Sequence, residues 1–122
     1  MASDCPFCAI VAGKSSQSLL VESEHCVAFP DINPAAPVHV LVVPRIHLDS
    51  LAGVGPEHAE VLSDLMATIK AVAEKEGVAE SGYRVVTNVG GDAGQVVHHL
   101  HFHVVGGRPL GRRSKPSEGE GQ

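Results

Sequence analysis

The sequence predicts an α+β domain in which an antiparallel β-sheet of about five strands packs with one long and one short helix. Three observations lead there. Between residues 56 and 77, Val61, Leu62, Leu65, Met66, Ile69, Val72 and Ala73 recur at helical spacing. Five short apolar, β-branched runs occupy residues 19–21, 26–29, 38–43, 83–86 and 98–105. Asp31-Ile32-Asn33-Pro34 is a turn signal that joins the second and third runs as an antiparallel pair.

Taken in order, residues 6–12 predict the short helix, and the runs from 19 to 43 predict three strands. The long helix has Pro56 in its first turn and Gly77 after its last, the positions where a missing N–H and a free backbone are best tolerated. The fourth and fifth strands follow, separated by Gly90-Gly91-Asp92-Ala93-Gly94. This segment lacks a following Lys-Ser/Thr and precedes a strand, so it is no P-loop; its glycines read as a flexible connection that permits close backbone approach. From Arg108 onward Gly, Pro, Ser and charge dominate, too polar to offset ordering entropy. The reading is one domain over residues 1–111 and a flexible tail over 112–122.

A chain of 122 residues suffices for one core, and 43 % hydrophobic with 19 % charged residues is ordinary for a globular protein. The net charge of −5 argues against a nucleic-acid partner, which needs clustered Lys and Arg, but leaves room for a small phosphate ligand. No apolar run approaches the roughly 20 residues that cross a bilayer; residues 35–44, the longest, are interrupted by Pro37 and His39. No membrane partner is expected. The N-terminus does not read as a secretory signal, so a cytoplasmic location is expected. Three cysteines make no disulfide framework: Cys26 reads as a core thiol, and Cys5-Pro6-Phe7-Cys8 as a metal or redox half-site.

Four of the eight histidines fall in His98-His99-Leu100-His101-Phe102-His103. On a strand, His99, His101 and His103 share one face at separations of roughly 6.5 Å, with Leu100, Phe102 and Val104 turned toward the core. His98 falls on the apolar face as a strand-end residue. Aligned imidazoles can serve as nucleophile, metal ligand and acid at neutral pH. A solvated polar face and a plain metal-chelating strand are the alternatives.

Residues 99–105 resemble the signature of the histidine-triad (HIT) family, His-φ-His-φ-His-φ-φ with φ apolar. The resemblance extends through Phe29-Pro30-Asp31-Ile32, Ala36-Pro37-Val38-His39, Val43-Pro44-Arg45-Ile46-His47, Gly82-Tyr83-Arg84, Asn88, Gly94-Gln95 and Gly106-Gly107-Arg108, and is nearest to the Hint-like branch. It implies the HIT-like fold, a homodimer with a sheet continuous between subunits, and hydrolysis of purine nucleoside phosphoramidates or related adenylates. His101 would be the nucleophile that forms a covalent nucleotidyl-histidine before AMP is released. His103 would protonate the leaving amine, and His39 and His99 would orient His101. Asn88 and Gln95 would help hold the phosphate, while Phe29 and Ile32 would flank the base. Asp31 reads equally as an acceptor for ribose hydroxyls and as a turn-forming aspartate. The third histidine separates this chain from superfamily nucleotidyltransferases such as galactose-1-phosphate uridylyltransferase, which have glutamine there. Val96 stands where many Hint-like members have serine, and Pro30 where some have histidine.

A lone CxxC is half a tetrahedral zinc site. Some bacterial HIT proteins complete it with a histidine after the Val-Pro-X-X segment and the first histidine of the triad. That resemblance implies structural Zn²⁺ on Cys5, Cys8, His47 and His99. Competing functions are a dinucleoside polyphosphate hydrolase that uses the same His101, a nucleotide-binding or scaffolding protein with incidental turnover, and a metal-binding structural protein.

Overall fold

The structure, a computed structural model, describes residues 5–111; the tail expected over 112–122 lies outside the described residues. A short helix α1 (Pro6–Val11) leads into β1 (Val21–Glu22), β2 (Cys26–Pro30) and β3 (Val38–Pro44). Two 3-10 turns, Leu51–Gly53 and Pro56–His58, precede the long helix α2 (Ala59–Lys75). Strand β4 (Tyr83–Val86), a third 3-10 turn (Gly91–Ala93) and β5 (Phe102–Gly106) complete the order. All strand pairs are antiparallel, and the sheet runs β1-β2-β3-β5-β4.

The sheet is covered on both faces, and strand alternation decides which residue meets which cover. On one face Cys26, Ala28, Val40, Val42, Leu100 and Val104 pack with Leu65, Ile69 and Val72 of α2. On the other, Val27, Phe29, Leu41 and Val43 pack with Phe7 of α1. Met66, expected on the apolar stripe of α2, is instead 48 % exposed.

Helix α2 stops as its sequence predicts. Gly77 adopts φ +76°, Val78 N–H donates to the Ala73 carbonyl, and Gly77 N–H donates to Glu74, so the last turn's carbonyls are capped. At its other half Asp64 accepts from Ser23 Oγ at 2.6 Å and from His25 N–H at 2.8 Å. These bonds tie α2 to the β1–β2 turn and hold the Asp64 carboxyl below the usual range.

The largest difference from the sequence expectation lies at the histidines. The strand expected over residues 98–105 starts only at Phe102. Extending the β3–β5 register past Val42↔Phe102 would set Leu100 against Pro44, which has no N–H to give. The Pro44 carbonyl is taken by the His99 ring, and Leu100 N–H turns away to Leu48. The β1 pairing is likewise shorter than expected at Val21–Glu22, although Leu20 N–H still reaches Ala28.

Candidate active site

Although the strand begins late, the three histidines still lie on the side of the sheet away from α2, and all are buried. Leu100 between them is part of the α2 core, so alternation survives the bend. Exposed His98, expected at the strand end, lies instead in the bend before β5.

Hydrogen bonds assign a proton to each ring. His101 Nδ1 donates to the His99 carbonyl at 2.7 Å, so the lone pair of the neutral ring resides on Nε2. His39 Nδ1 accepts from Ala35 N–H at 2.9 Å, which puts the His39 proton on Nε2. That nitrogen lies 2.8 Å from His103 Nδ1, so the His103 proton is on its own Nε2. His103 Nε2 is buried and has no hydrogen-bond partner among the described residues. Burial, with the neighbouring His101 and His39 rings adding to it, lowers His103 to about 3; burial also lowers His39 and His99. These three rings are therefore neutral at physiological pH.

Two expected orienting bonds take a different form. His99 holds His101 through its backbone carbonyl, because its ring Nε2 donates to Pro44 at 3.0 Å. His39 holds His103 and not His101. Two further contacts on the nucleophile candidate were not legible in the sequence. Thr87 Oγ1 donates to the His101 carbonyl at 2.7 Å, and the Phe7 ring stands edge-on to the His101 ring at 5.1 Å.

Cys5, Cys8, His47 and His99 converge, with their four candidate ligand atoms all within 4.8 Å of one another. Cys5 Sγ is 3.3 Å and Cys8 Sγ 3.6 Å from His99 Nδ1, and Cys8 Sγ is 3.2 Å from His47 Nδ1. Ligands on one tetrahedral zinc are separated by about 3.5 Å for a sulfur–nitrogen edge. Both imidazoles are presented correctly for a metal. His99 Nε2 is bonded to the Pro44 carbonyl and His47 Nε2 lies 3.0 Å from Asp49 Oδ1, which leaves each Nδ1 lone pair to the cluster. The residues fit zinc. Asp49, two residues after His47, is a supporting group the sequence reading missed.

Beside the histidines a groove of about 520 Å³ is lined by Phe7, Ile10, Phe29, Asp31, Ile32, Leu41 and Val97, with Ser15 to Gln17 among its other lining residues. Three expected ligand-binding residues, Phe29, Asp31 and Ile32, thus share it, and Ile32 is 81 % exposed. The other four, Asn88, Gln95, His101 and His103, do not line this groove. Gln95 accepts from Gly90 N–H and donates to the Asp49 and Val97 carbonyls, and Asn88 donates to Ala93, so both brace the 88–97 segment. Val96 is 69 % exposed and supplies no side-chain hydrogen bond.

The sequence matches the HIT domain family over residues 12–110. It is 37 % identical over 111 residues to the purine nucleoside phosphoramidase of Escherichia coli strain K12, covering 91 % of this chain and 93 % of that one. The fold resembles a HIT family hydrolase from Clostridium thermocellum with a TM-score of 0.90 and 40 % identity, over 94 % of this chain and 100 % of the other. A histidine triad protein from Clostridium difficile gives 0.87 and 38 %, over 92 % and 97 % of the two chains. Motif, topology and these similarities agree: the chain belongs to the HIT domain family.

Proposed function

We propose that this protein is a nucleotide hydrolase that releases AMP from adenosine phosphoramidates or related adenylates through a nucleotidyl-His101 intermediate. The observation that carries the reading is the 2.7 Å bond from His101 Nδ1 to the His99 carbonyl, because it turns a neutral imidazole into a nucleophile at Nε2. Nε2 attacks the α-phosphorus of the N-protonated phosphoramidate, a phosphorus–nitrogen bond forms, and the bond to the leaving nitrogen breaks, the amine departing neutral with the proton it already carried. His103 Nε2–H is the donor toward the leaving group, and His39 sets its tautomer. Water then cleaves the labile phosphorus–histidine bond and regenerates the ring. The printed name of the Escherichia coli relative, a purine nucleoside phosphoramidase, supports this substrate class.

The apolar groove takes the nucleoside, Phe29 and Ile32 flank the base, and Asp31 accepts from the ribose. Asn88 and Gln95 serve the phosphate indirectly, by fixing the 88–97 segment. Zinc on Cys5, Cys8, His47 and His99 is structural, since four protein ligands complete a tetrahedron and leave no position for a reacting water. Its protein ligands tie the α1 entrance to the residue whose carbonyl holds His101.

Two coarser features belong to the same proposal. The protein works in the cytoplasm; no helix among the described residues is long and apolar enough to cross a membrane. It works as a homodimer joined along β4, an edge strand whose Val85 is 41 % exposed.

Incubation with adenosine 5′-phosphoramidate tests the reading: wild type releases AMP and His101→Ala does not. Preferential cleavage of a dinucleoside polyphosphate would move the assignment to that substrate class. Tight AMP binding without turnover on either would make the protein a binding module.

A further inference from the structure

Asp31 stands in two places at once. It lines the nucleoside groove, and its Oδ2 lies 3.3 Å from His39 Nε2, the nitrogen that serves His103. We propose that Asp31 is a positioning residue that couples the sugar hydroxyls of the substrate to the hydrogen-bond strength of His103. The proposal rests on the nucleotide-hydrolase reading and adds to it a role for the sugar in the chemical step.

The geometry sets up a competition for one proton. Ala35 N–H occupies His39 Nδ1, so the single ring proton sits on Nε2. Two acceptors face it. His103 Nδ1 is at 2.8 Å in good geometry, and Asp31 Oδ2 is at 3.3 Å outside hydrogen-bond geometry. Asp31 is only 8 % exposed; its Oδ1 accepts from Asn33 N–H at 2.8 Å, while Oδ2 has no hydrogen-bond partner among the described residues. A buried carboxylate oxygen without a donor is costly, and the N–H at 3.3 Å from it is committed to His103. The loop that carries Asp31 is held from outside by Arg108, whose guanidinium donates to the Ala35 carbonyl at 2.9 Å.

The same cluster does not suit a metal. The 2.8 Å between the two imidazole nitrogens is shorter than the roughly 3.3 Å edge of a tetrahedral zinc site, and the nitrogen of His39 concerned carries the proton. Oδ2 is buried and lacks a donor; Asp31 lines the groove, where a turn of its carboxylate would bring that oxygen to one of the two hydroxyls a ribose presents.

Once a sugar hydroxyl donates to Oδ2, the carboxylate no longer draws on the His39 proton. The His39–His103 bond then strengthens, and an imidazole that accepts a stronger bond at Nδ1 donates a stronger one at Nε2. His103 Nε2–H is the proposed donor to the leaving group, so occupancy of the sugar site raises the rate of bond cleavage. No proton leaves either ring in this step; only hydrogen-bond polarisation changes.

The test compares adenosine 5′-phosphoramidate with its 2′,3′-dideoxy analogue on wild type and Asp31→Asn. In parallel, ¹⁵N NMR of the histidine rings is recorded on wild type with AMP and with 2′,3′-dideoxy-AMP. In wild type the dideoxy substrate should lose about tenfold or more in kcat, the scale of one hydrogen bond to a charged group. Asp31→Asn should erase most of that difference, and the His103 Nε2 resonance should move further with AMP than with the dideoxy nucleotide. A dideoxy effect confined to KM, or equal resonance shifts with both nucleotides, would overturn the coupling and leave Asp31 a sugar anchor. Sugar-dependent shifts without any hydrolysis would sink the hydrolase reading while leaving the coupling intact. Failure of AMP to bind would overturn both.

Discussion

At the scale of single residues, the site is a set of tautomers fixed by backbone. The carbonyls of His99 and Pro44 and the amide of Ala35 determine where the protons of His101, His99 and His39 sit. None of these partners is a side chain, so residue type could not reveal them. The spacing of the histidines was legible; the identity of their hydrogen-bond acceptors was not. One consequence concerns acid stability. His103 has a folded-state value of about 3 against an unfolded value near 6.5, so the unfolded chain binds the extra proton throughout the window between them. Stability is therefore complete above about pH 6.5 and falls by roughly 1 kcal/mol per pH unit as the pH drops toward 3. In metal-free protein, where ligand protonation does not compete with metal, His103→Gln should show a smaller fall in Tm than wild type between about pH 7 and about pH 4.5. Equal falls would assign the acid sensitivity to other groups.

At the scale of elements, α2 was readable in its stripe and its stop, whereas Pro56, expected in its first turn, opens a separate 3-10 turn and α2 starts at Ala59. Its periodicity, Pro56 and Gly77 all act locally, and only Met66 escaped the apolar face. The fifth strand was readable in pattern but not in extent, because its start depends on Pro44 in β3, a partner 58 positions before Phe102. The α1 entrance shows the opposite case. Its Cys-Pro-Phe-Cys sequence announced a metal half-site, yet gave no sign that Phe7 between the thiols would pack on Phe29, His99 and His101. The candidate metal ligands and the groove are thus joined by one turn of chain. Cys8→Ser should lower zinc content below one per chain, lower Tm, and weaken AMP binding as Phe7 loses its anchor. Unchanged zinc content by elemental analysis would remove Cys8 from the ligand set. Lost zinc with unchanged AMP affinity would disconnect the metal from the groove.

At the scale of the whole molecule, the sheet divides two tasks between its faces. Helix α2 covers one side, where Leu65, Ile69 and Val72 meet the strand residues, while the histidines, α1 and the groove gather on the other. Fold class and strand number were legible because alternation and turn chemistry are short-range signals. The groove was not, since it collects Ile10, Phe29, Leu41 and Val97 from four separate segments. The two sheet edges differ in what they offer a second copy. Strand β1 has two residues, whereas β4 has four, with Val85 exposed. Sedimentation should give a dimer for wild type and a shift toward monomer for Val85→Lys, because a buried charge at the edge opposes pairing. A wild-type monomer would remove the continuous-sheet assembly.

The central claim is that His101 becomes covalently nucleotidylated, and rapid acid-free quenching of a single turnover tests it most directly. The protein is mixed with adenosine 5′-phosphoramidate, denatured within the first turnover, digested and analysed by mass spectrometry. One adenylyl group is expected on the peptide that contains His101, assigned to that ring by fragmentation and missing from His101→Ala. AMP release at the wild-type rate by His101→Ala, or an adenylyl group carried only on another residue, would contradict it.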